Sequence, residues 1–443
     1  MKIHFTRNSL ILPGAAITLA ALAIWLFRPA WLTRFDHIAY DAQVREAAAP
    51  PLSGHVVIVE IDEASLARYG HWPWPRAVLA ELVNKIRNAG ARVIALDVVF
   101  AEPERRVTAS KTGNTASAAN PPAENRSVEP GDGDLELRSS IEPGRVVLGQ
   151  YFRFDSEKGS DSCELHPVSL STAYRFDAPS APYLDARSAT CSISLLSGAG
   201  AGSGFLNASP DADGTLRRIP LLIGYQDHVY PSLALAAVMS YRNVRTAQLL
   251  QQPDGSERLR FGDTSVPVGP YSTLLLRFQP DTSVFTRLSA AALPGRPGML
   301  KDKIVLFGGS AAGLHETEST PMRSEAPGQD IQATAIENLL TGIAFERSAP
   351  ARMAEFALLL ACGILSTGLF ALFRPFAAGL GAAALGGVTW LGTARFLDLE
   401  GVFVSPAWAI TLVAVNVGAL SLFSLARQRS RAEHSESQAK AAR

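Results

Sequence analysis

Two carboxylates follow apolar runs of the kind that form buried β-strands. Asp62 ends the run HVVIVEID, and Asp97 lies within the run RVIALDVVF. Ligands of open α/β sheets bind at the carboxyl ends of parallel strands. Both carboxylates are therefore candidates for contact with a ligand. The structural alternative is that each one caps a helix or pairs with Arg76.

Two Trp-Pro pairs lie between these carboxylates, at Trp72 to Pro75. Each proline fixes its own φ and restricts the residue before it, so the segment is predicted to form a rigid elbow. The indoles either form a wall of a ligand site or pack the connection between strand and helix. Chain direction brings the strand ends and the elbow to one edge of the sheet. We therefore expect a cluster of Asp62, Trp72, Trp74, Arg76 and Asp97.

Three enzyme motifs are incomplete in the segment GGSAAG, which follows the apolar run IVLF. A P-loop needs Gly-Lys-Ser/Thr after its spacer, and a dinucleotide fingerprint needs a different glycine spacing. A nucleophile elbow needs glycine where Ala312 stands. DADG, at Asp211 to Gly214, begins like a calcium loop that is not completed, which favours a turn. No H-x-x-x-H pair is present, so we expect neither a metal site nor a cofactor.

The chain has three cysteines, and two of them lie in its polar middle part. Cys362 falls within an apolar segment. Cys163 and Cys191 match no zinc-binding spacing. An oxidising compartment permits them to pair. We predict one disulfide between these two residues.

Apolar residues are concentrated at the two ends of the 443-residue chain. The total of 41 basic and 41 acidic side chains gives no overall attraction to nucleic acid. A membrane helix needs about 20 apolar residues. Four segments are predicted to be such helices: 10–27, 353–373, 376–397 and 402–425. Two alternatives are a cleaved signal peptide for the first segment, at Ala21-Leu22-Ala23, and a buried helical core for the other three.

The charges beside these segments predict their orientation. Basic residues lie before the first segment, between the second and third, and after the fourth: Lys2 and Arg7, Arg374, and Arg427, Arg429 and Arg431. The loop between the third and fourth segments carries the acidic residues Asp398 and Glu400. Loops rich in Lys and Arg remain in the cytoplasm. We therefore expect residues 1–9 and 426–443 to be cytoplasmic. Residues 28–350 then lie outside the plasma (inner) membrane, in the periplasm or extracellular space.

The predicted outer domain, residues 28–350, has the pattern of an α/β fold. A strand, an amphipathic helix and a second strand succeed one another between residues 55 and 100, which indicates a βαβ unit. Further apolar runs, such as RVVLGQYF and KIVLFGG, predict a mixed, largely parallel sheet with flanking helices. Residues 104–133 are rich in Ser, Ala, Pro and Gly without apolar periodicity, and we expect a flexible surface insertion.

Several blocks together resemble the CHASE2 sensory domain of bacterial receptors. They are VEID with SLARYGHWPWPR, GARVIALDVVF with AEPE, GFLNASPDADGTLRRIPL, YPSLALAAV, and KDKIVLFGGSAAGL…TP…GQDIQATAIENLL. The blocks occur in the family's order over most of residues 35–345. One helix before the sensor and three after it also match that layout. His315-Glu316 stands where the family pattern has glycine and aspartate. Glu316 and Thr320 are added to the candidate ligand site on this resemblance.

The resemblance implies a sensor that works as a homodimer and passes its signal to a cytoplasmic output domain. Family members carry cyclase or kinase domains there, whereas only the tail 426–443 follows the last helix here. We therefore expect no enzyme activity. The expected partners are the lipid bilayer, a second copy, an unidentified small-molecule or protein signal, and a separate output protein that the tail contacts. An inert tail that serves only as an anchor is the alternative.

Two other functions stay open at this stage. The chain could be the sensory fragment of a cyclase or kinase whose catalytic domain is missing or separately encoded. It could also be a structural protein of the envelope that senses nothing, because a fold seldom determines a function.

Overall fold

The computed structural model describes residues 10–27, 30–104, 131–155, 163–173, 182–293, 298–311 and 317–441. The chain divides into two compact units. One unit, called here the helical unit, consists of Met1–Ala48, Asp254–Ser256 and Phe345–Arg443. The other, the α/β unit, consists of Ala49–Pro253 and Glu257–Ala344.

The helices are α1 Ile11–Phe27, α2 Ala30–Glu46, α3 Glu63–Tyr69, α4 Arg76–Asn88, α5 Asp132–Ile141, α6 Ser194–Ser197, α7 Leu233–Arg242, α8 Gly328–Thr341, α9 Ala349–Leu372, α10 Pro375–Glu400 and α11 Ala407–Ala441. Short 3₁₀ turns occupy Pro270–Ser272, Thr282–Val284 and Ala290–Ala292.

The strands are β1 Val56–Ile61, β2 Val93–Leu96, β3 Val146–Arg153, β4 Ser169–Ala173, β5 Leu184–Asp185, β6 Ser188–Thr190, β7 Gly202–Phe205, β8 Arg218–Pro220, β9 Leu222–Tyr225, β10 His228–Pro231, β11 Thr246–Gln251, β12 Glu257–Phe261, β13 Thr264–Val268, β14 Thr273–Leu275, β15 Thr286–Ser289, β16 Ile304–Gly309, β17 Thr317–Glu318 and β18 Ala326–Pro327.

The central sheet of the α/β unit has the strand order β15-β1-β16-β2-β3, with β7 and β6 both pairing β3. All of these pairs are parallel except β3 with β6. This confirms the prediction of a mixed α/β fold. One boundary is corrected, because β2 ends at Leu96. Asp97 therefore follows the strand instead of lying within it.

Helices cover both faces of this sheet. Side chains alternate along a strand, so Val57, Val59 and Ile61 pack on one face with apolar side chains of α4 and α5. Val56 and Ile58 pack on the other face with α7 and α8. Strands β1, β2 and β16 are buried on both sides, which explains their continuous apolar sequences. Smaller sheets complete the unit, of which the largest has the order β13-β12-β11-β4.

The predicted insertion at residues 104–133 is described only at its two ends. Residues 105–130 lie outside the described residues. Asp132 and Gly133 begin helix α5, and a Glu104 carboxylate oxygen accepts a hydrogen bond from the Arg76 backbone N–H at 3.0 Å. Glu104 and residues 131–133, which the prediction included in the insertion, are therefore part of the described fold.

The helical unit is arranged around α9, which packs against α1, α10 and α11. Close approach of α1 to α9 depends on small residues. A Cβ atom added at Gly14 would overlap the side chain of Thr367, and one added at Gly363 would overlap Thr18. The two contacts run in opposite directions along the helices, so α1 and α9 are antiparallel. Small residues at such contacts are typical of helix pairs in membranes.

Among the residues that the structure describes, three helices, not the expected four, are long and apolar enough to cross a membrane. They are Ala349–Leu372, Pro375–Glu400 and the Ala407–Arg429 part of α11. The predicted first segment forms a helix of 17 residues, Ile11–Phe27. At 1.5 Å per residue it is about 26 Å long, shorter than a hydrocarbon core of about 30 Å.

Candidate functional site

Asp62 is the N-terminal cap of helix α3. Its carboxylate accepts hydrogen bonds from the backbone N–H of Ser65 at 2.9 Å and from the hydroxyl of Ser289 at 2.8 Å. The Ser65 hydroxyl donates to the same oxygen. Burial opposes ionisation of Asp62, but these hydrogen bonds outweigh it and hold the pKa of the carboxyl below its ordinary value. The geometry assigns Asp62 a capping role.

Trp72 and Trp74 pack into the core that lies between the sheet and helix α4. Trp74 is 2% exposed, and its indole N–H donates to the carbonyl of Gly70 at 2.8 Å. Its ring centroid lies 5.2 Å from that of Tyr69 and 5.6 Å from that of Trp72. The indoles therefore pack the connection between strand and helix, the second of the two roles predicted for them, and do not form a wall of the cavity beside α8.

Arg76 joins the start of α4 to the segment that follows β2. Its guanidinium lies over the ring of Phe100, 4.4 Å from the centroid, and donates to the carbonyl of Glu102 at 3.1 Å. It also lies 3.4 Å from the buried carboxylate of Asp134. These partners hold Arg76 in an internal network of the same core.

Asp97 lies on the other face of the sheet. It continues the row of Val93 and Ala95, whose side chains face α7 and α8. The structure therefore separates Asp97 from the tryptophans and Arg76, and the five expected residues do not form one cluster. Only Asp97 among them lines a cavity beside α8.

The cavity has a volume of about 170 Å³ and lies at the carboxyl edge of the sheet. Its polar lining comprises Asp97, Tyr151, Gly309, Glu318, Gln329 and Gln332. Leu206, Ile219 and Ile331 form an apolar wall. This is where ligands of parallel α/β sheets bind, and we take it as the candidate site.

Gln329 is the most unusual residue of this cavity. It is 2% exposed, yet neither its amide nitrogen nor its amide oxygen has a hydrogen-bond partner. The buried side-chain oxygen of Gln332, one helical turn later, also lacks a partner. Buried polar groups without partners cost free energy and are rare in native proteins. Such groups on a cavity wall indicate a place for a ligand or bound water.

Close packing at Gly308 fixes the position of the Gln329 amide relative to Asp97. A Cβ atom added at Gly308 would lie 3.0 Å from both the Cβ of Asp97 and the Nε2 of Gln329. A larger residue at this strand position would push the two side chains apart. The glycine-rich exit of β16 is thus a close approach between strand and helix, where a Cβ atom would force its neighbours to shift.

A group of ion pairs lies beside the cavity and includes Asp330 of helix α8. Arg287 binds Glu60 of β1 and Asp330 of α8, each at 2.5 Å. Burial lowers the pKa of Arg287, but these two carboxylates outweigh that effect and raise it above its ordinary value. Arg287 thereby links strands β1 and β15 to the first turn of α8. Within the described part of the chain, no group of three or more His, Cys, Asp and Glu side chains is placed to hold a metal.

The two residues added on the family resemblance have different outcomes. Thr320 is buried, and its hydroxyl and the backbone of Arg323 close a turn at 3.1 Å. It does not line the cavity of Asp97. Glu316 lies outside the described residues. Glu318, two positions later, does line the cavity.

The sequence prediction did not include Gln329 and Gln332. The segment GQDIQATAIENLL predicts a helix through its apolar positions, and these glutamines look like its solvent side. In the structure every residue from Gln329 to Leu340 is buried. The feature of the sequence that could have identified them is a pair of amide side chains one turn apart at the start of a predicted helix. Their burial could not be predicted, because it depends on the packing of α8 against α7, β1, β13 and β16.

Cys163 and Cys191 are joined by a disulfide in the structure, with their Cα atoms 5.8 Å apart. The bond ties the segment before β4 to the residue that follows β6. Among the described residues Cys362 is the free cysteine, and it is buried.

A sequence profile of the CHASE2 domain matches residues 17–372. No curated protein and no solved structure matches the chain. The matched range includes the whole α/β unit, together with helices α2 and α9 and most of α1.

Proposed function

This chain belongs to the CHASE2 family, and on that premise we propose that it is a membrane-anchored sensor that transmits a signal across the plasma membrane. CHASE2 is an extracellular sensor domain. The match here includes the first of three apolar helices, and the other two follow it in the chain. The α/β unit would detect the signal outside the cell. The helical unit would anchor it and carry the change inward.

The surface of the helical unit supports a position in the membrane. Large apolar side chains are exposed on each long helix, including Ile364 and Leu365 on α9, Phe376 and Val388 on α10, and Leu422 and Phe423 on α11. Polar side chains instead face inward, as in the buried hydrogen bond from Asn416 to Ser366 at 2.9 Å. Such an arrangement suits lipid as the surrounding solvent.

We propose that α1 crosses the membrane together with these three helices. The contacts between α1 and α9 at Gly14 and Gly363 support the same depth in the membrane for both helices. A helix of 17 residues is at the lower limit of spanning length. Four crossings would put both ends of the chain on the same side of the membrane. The basic residues Arg374, Arg427 and Arg429 favour the cytoplasmic side.

The proposal assigns no reaction to this chain. The signal would pass through α9 and α11 to a separate cytoplasmic protein, with a second copy of the chain as partner. A ligand shifts such a system only if it binds two arrangements of the helices unequally. The CHASE2 match, which extends through α9 and is followed by two further apolar helices, is the observation that carries this function.

An unbiased metabolite screen on the full chain in lipid nanodiscs tests the sensory role. A ligand at one hundred times its Kd stabilises the folded state by about 2.7 kcal/mol, which raises Tm measurably. We expect at least one metabolite fraction to raise Tm reproducibly and in proportion to its concentration. A screen of cell extract and culture medium without any such shift would favour a structural envelope protein.

A further inference from the structure

The cavity beside α8 contains hydrogen-bonding groups that the protein itself does not satisfy. Gln329 offers one donor group and one acceptor, and Gln332 offers a second acceptor. Asp97 and Glu318 add carboxylate oxygens to the same cavity. A ligand that satisfies the two glutamine side chains must carry at least two hydrogen-bond donors and at least one acceptor.

The charges around the cavity act in opposite directions, because carboxylates attract a cation and repel an anion whereas a helix N-terminus does the reverse. Asp97 and Glu318 repel an anion. The first residues of α8, from Gly328, line the cavity, and the cap residue Pro327 supplies no side-chain hydrogen bond to this end of the helix. The positive end of a helix dipole opposes a cation. A neutral ligand meets neither repulsion.

The size and walls of the cavity limit the ligand further. A cavity of about 150 Å³ holds a benzene molecule, so about 170 Å³ accommodates one six-membered ring. Leu206, Ile219 and Ile331 offer an apolar surface to the ring. Tyr151, 36% exposed, stands at the rim. Planar amides, carboxylates and an aromatic ring together suit adjacent hydroxyl groups and the C–H face of a sugar ring.

We propose that this cavity binds a small neutral polyhydroxylated molecule, a monosaccharide or cyclic polyol, with the Gln329 amide contacting two of its hydroxyl groups. The proposal rests on the sensory function proposed above and names the class of its signal. Binding would give partners to amide atoms that are otherwise buried without any. The ligand would bridge β16 and α8, the last helix before α9 in the chain.

Isothermal titration of the full chain in nanodiscs tests this class directly. The neutral probes are myo-inositol, glucose, ribose and glycerol. Putrescine serves as the cation and malate as the anion. We expect saturable binding of at least one neutral probe, and no saturable binding of putrescine or malate up to about 10 mM.

Replacing each of two buried glutamines gives a test variant and its matched control. Gln329→Leu should raise the Kd for the neutral probe at least about ten-fold, while the ligand-free protein keeps its Tm or gains, because an unpartnered amide is removed. Gln150 is likewise buried, at 1% exposure, and both of its amide atoms lack partners. It belongs to β3 and does not line the cavity. Gln150→Leu should therefore leave the Kd unchanged.

A second cavity variant tests the proposal independently if Gln329→Leu does not fold. Asp97→Asn keeps the shape of the side chain and should also weaken binding of the neutral probe about ten-fold. No saturable binding of any neutral probe, preference for putrescine or malate, or an unchanged Kd in both cavity variants would overturn the proposal. A metabolite of another class that raises Tm would overturn this ligand class and leave the sensory function standing.

Discussion

The guanidinium of Arg347 lies 2.7 Å from a carboxylate oxygen of Asp36, a residue 311 positions earlier in the chain. The same nitrogen lies 3.1 Å from Glu355 of α9. Ser405, just before α11, donates its hydroxyl to Asp36 and its backbone N–H to Glu355. One buried network thus fixes α2, α9 and the start of α11. Arg347 lies three residues after the last residue of the α/β unit.

Replacing Arg347 should destabilise the helical unit. Arg347→Met leaves two buried carboxylates without their shared cation. Loss of one partner of a buried ion pair costs about 3–5 kcal/mol, and we expect the lower end because the Arg347 side chain is 28% exposed. Thermal unfolding in detergent should show a clear drop in Tm. Arg352→Met, at an exposed position of α9, is the control, and equal Tm values for the two variants would contradict the account.

Packing of α1 against α9 should depend on Gly363. Gly363→Leu places a side chain where Thr18 already lies and should separate the two helices, because overpacking costs about 1–3 kcal/mol or more. Gly368, on the same helix, has no atom near an added Cβ. Gly368→Leu should leave the protein monodisperse. Size-exclusion chromatography after heating distinguishes them, and equal behaviour of the two variants would argue against the α1–α9 contact.

The sequence predicted the parts of the fold that depend on local pattern. The strand Val56–Ile61, the helix that begins after Pro75 and the helix after Pro327 were all expected, since apolar periodicity and capping residues are local signals. The length of α1 was overestimated by one residue. Whether such a helix spans depends on its surroundings, which a hydropathy pattern does not contain.

The candidate site was predicted only in part. Strand direction identified the carboxyl edge of the sheet and Asp97. It did not identify which face of the sheet each side chain occupies around a turn, so Trp74 and Arg76 were grouped with Asp97. Gln329 could not be predicted, because its burial depends on residues that are near it in space and distant in sequence.

Acid should remove the contribution of Asp62 to stability. Its pKa in the folded protein lies below the ordinary value of 3.8. The stabilisation is therefore complete above about pH 5 and is lost as the pH falls through 3.8 toward the folded pKa. Asp62→Asn keeps a capping side chain without the charge. The stability difference from wild type should be constant between pH 5 and pH 7 and shrink below pH 4, as measured by calorimetry; a difference that grows in acid would contradict the assignment.

The disulfide should contribute to the stability of the α/β unit. Cys163 and Cys191 are separated by 28 positions, and closing a loop of that length stabilises a protein by about 3–4 kcal/mol. The double Cys→Ser variant should have a lower Tm, whereas Cys362→Ser leaves the bond intact. Mass spectrometry of protein isolated from an oxidising compartment should detect the linked peptides. Two free thiols at these positions would refute the pairing.

The orientation of the chain in the membrane is the central claim, and reporter fusions measure it most directly. Alkaline phosphatase folds and becomes active only outside the cytoplasm. Fused after Ala201, within the α/β unit, it should be active. Fused after Arg431, beyond the apolar part of α11, it should be inactive, although the fusion protein is present in the membrane fraction. Activity after Arg431 together with inactivity after Ala201 would contradict an extracytoplasmic sensor.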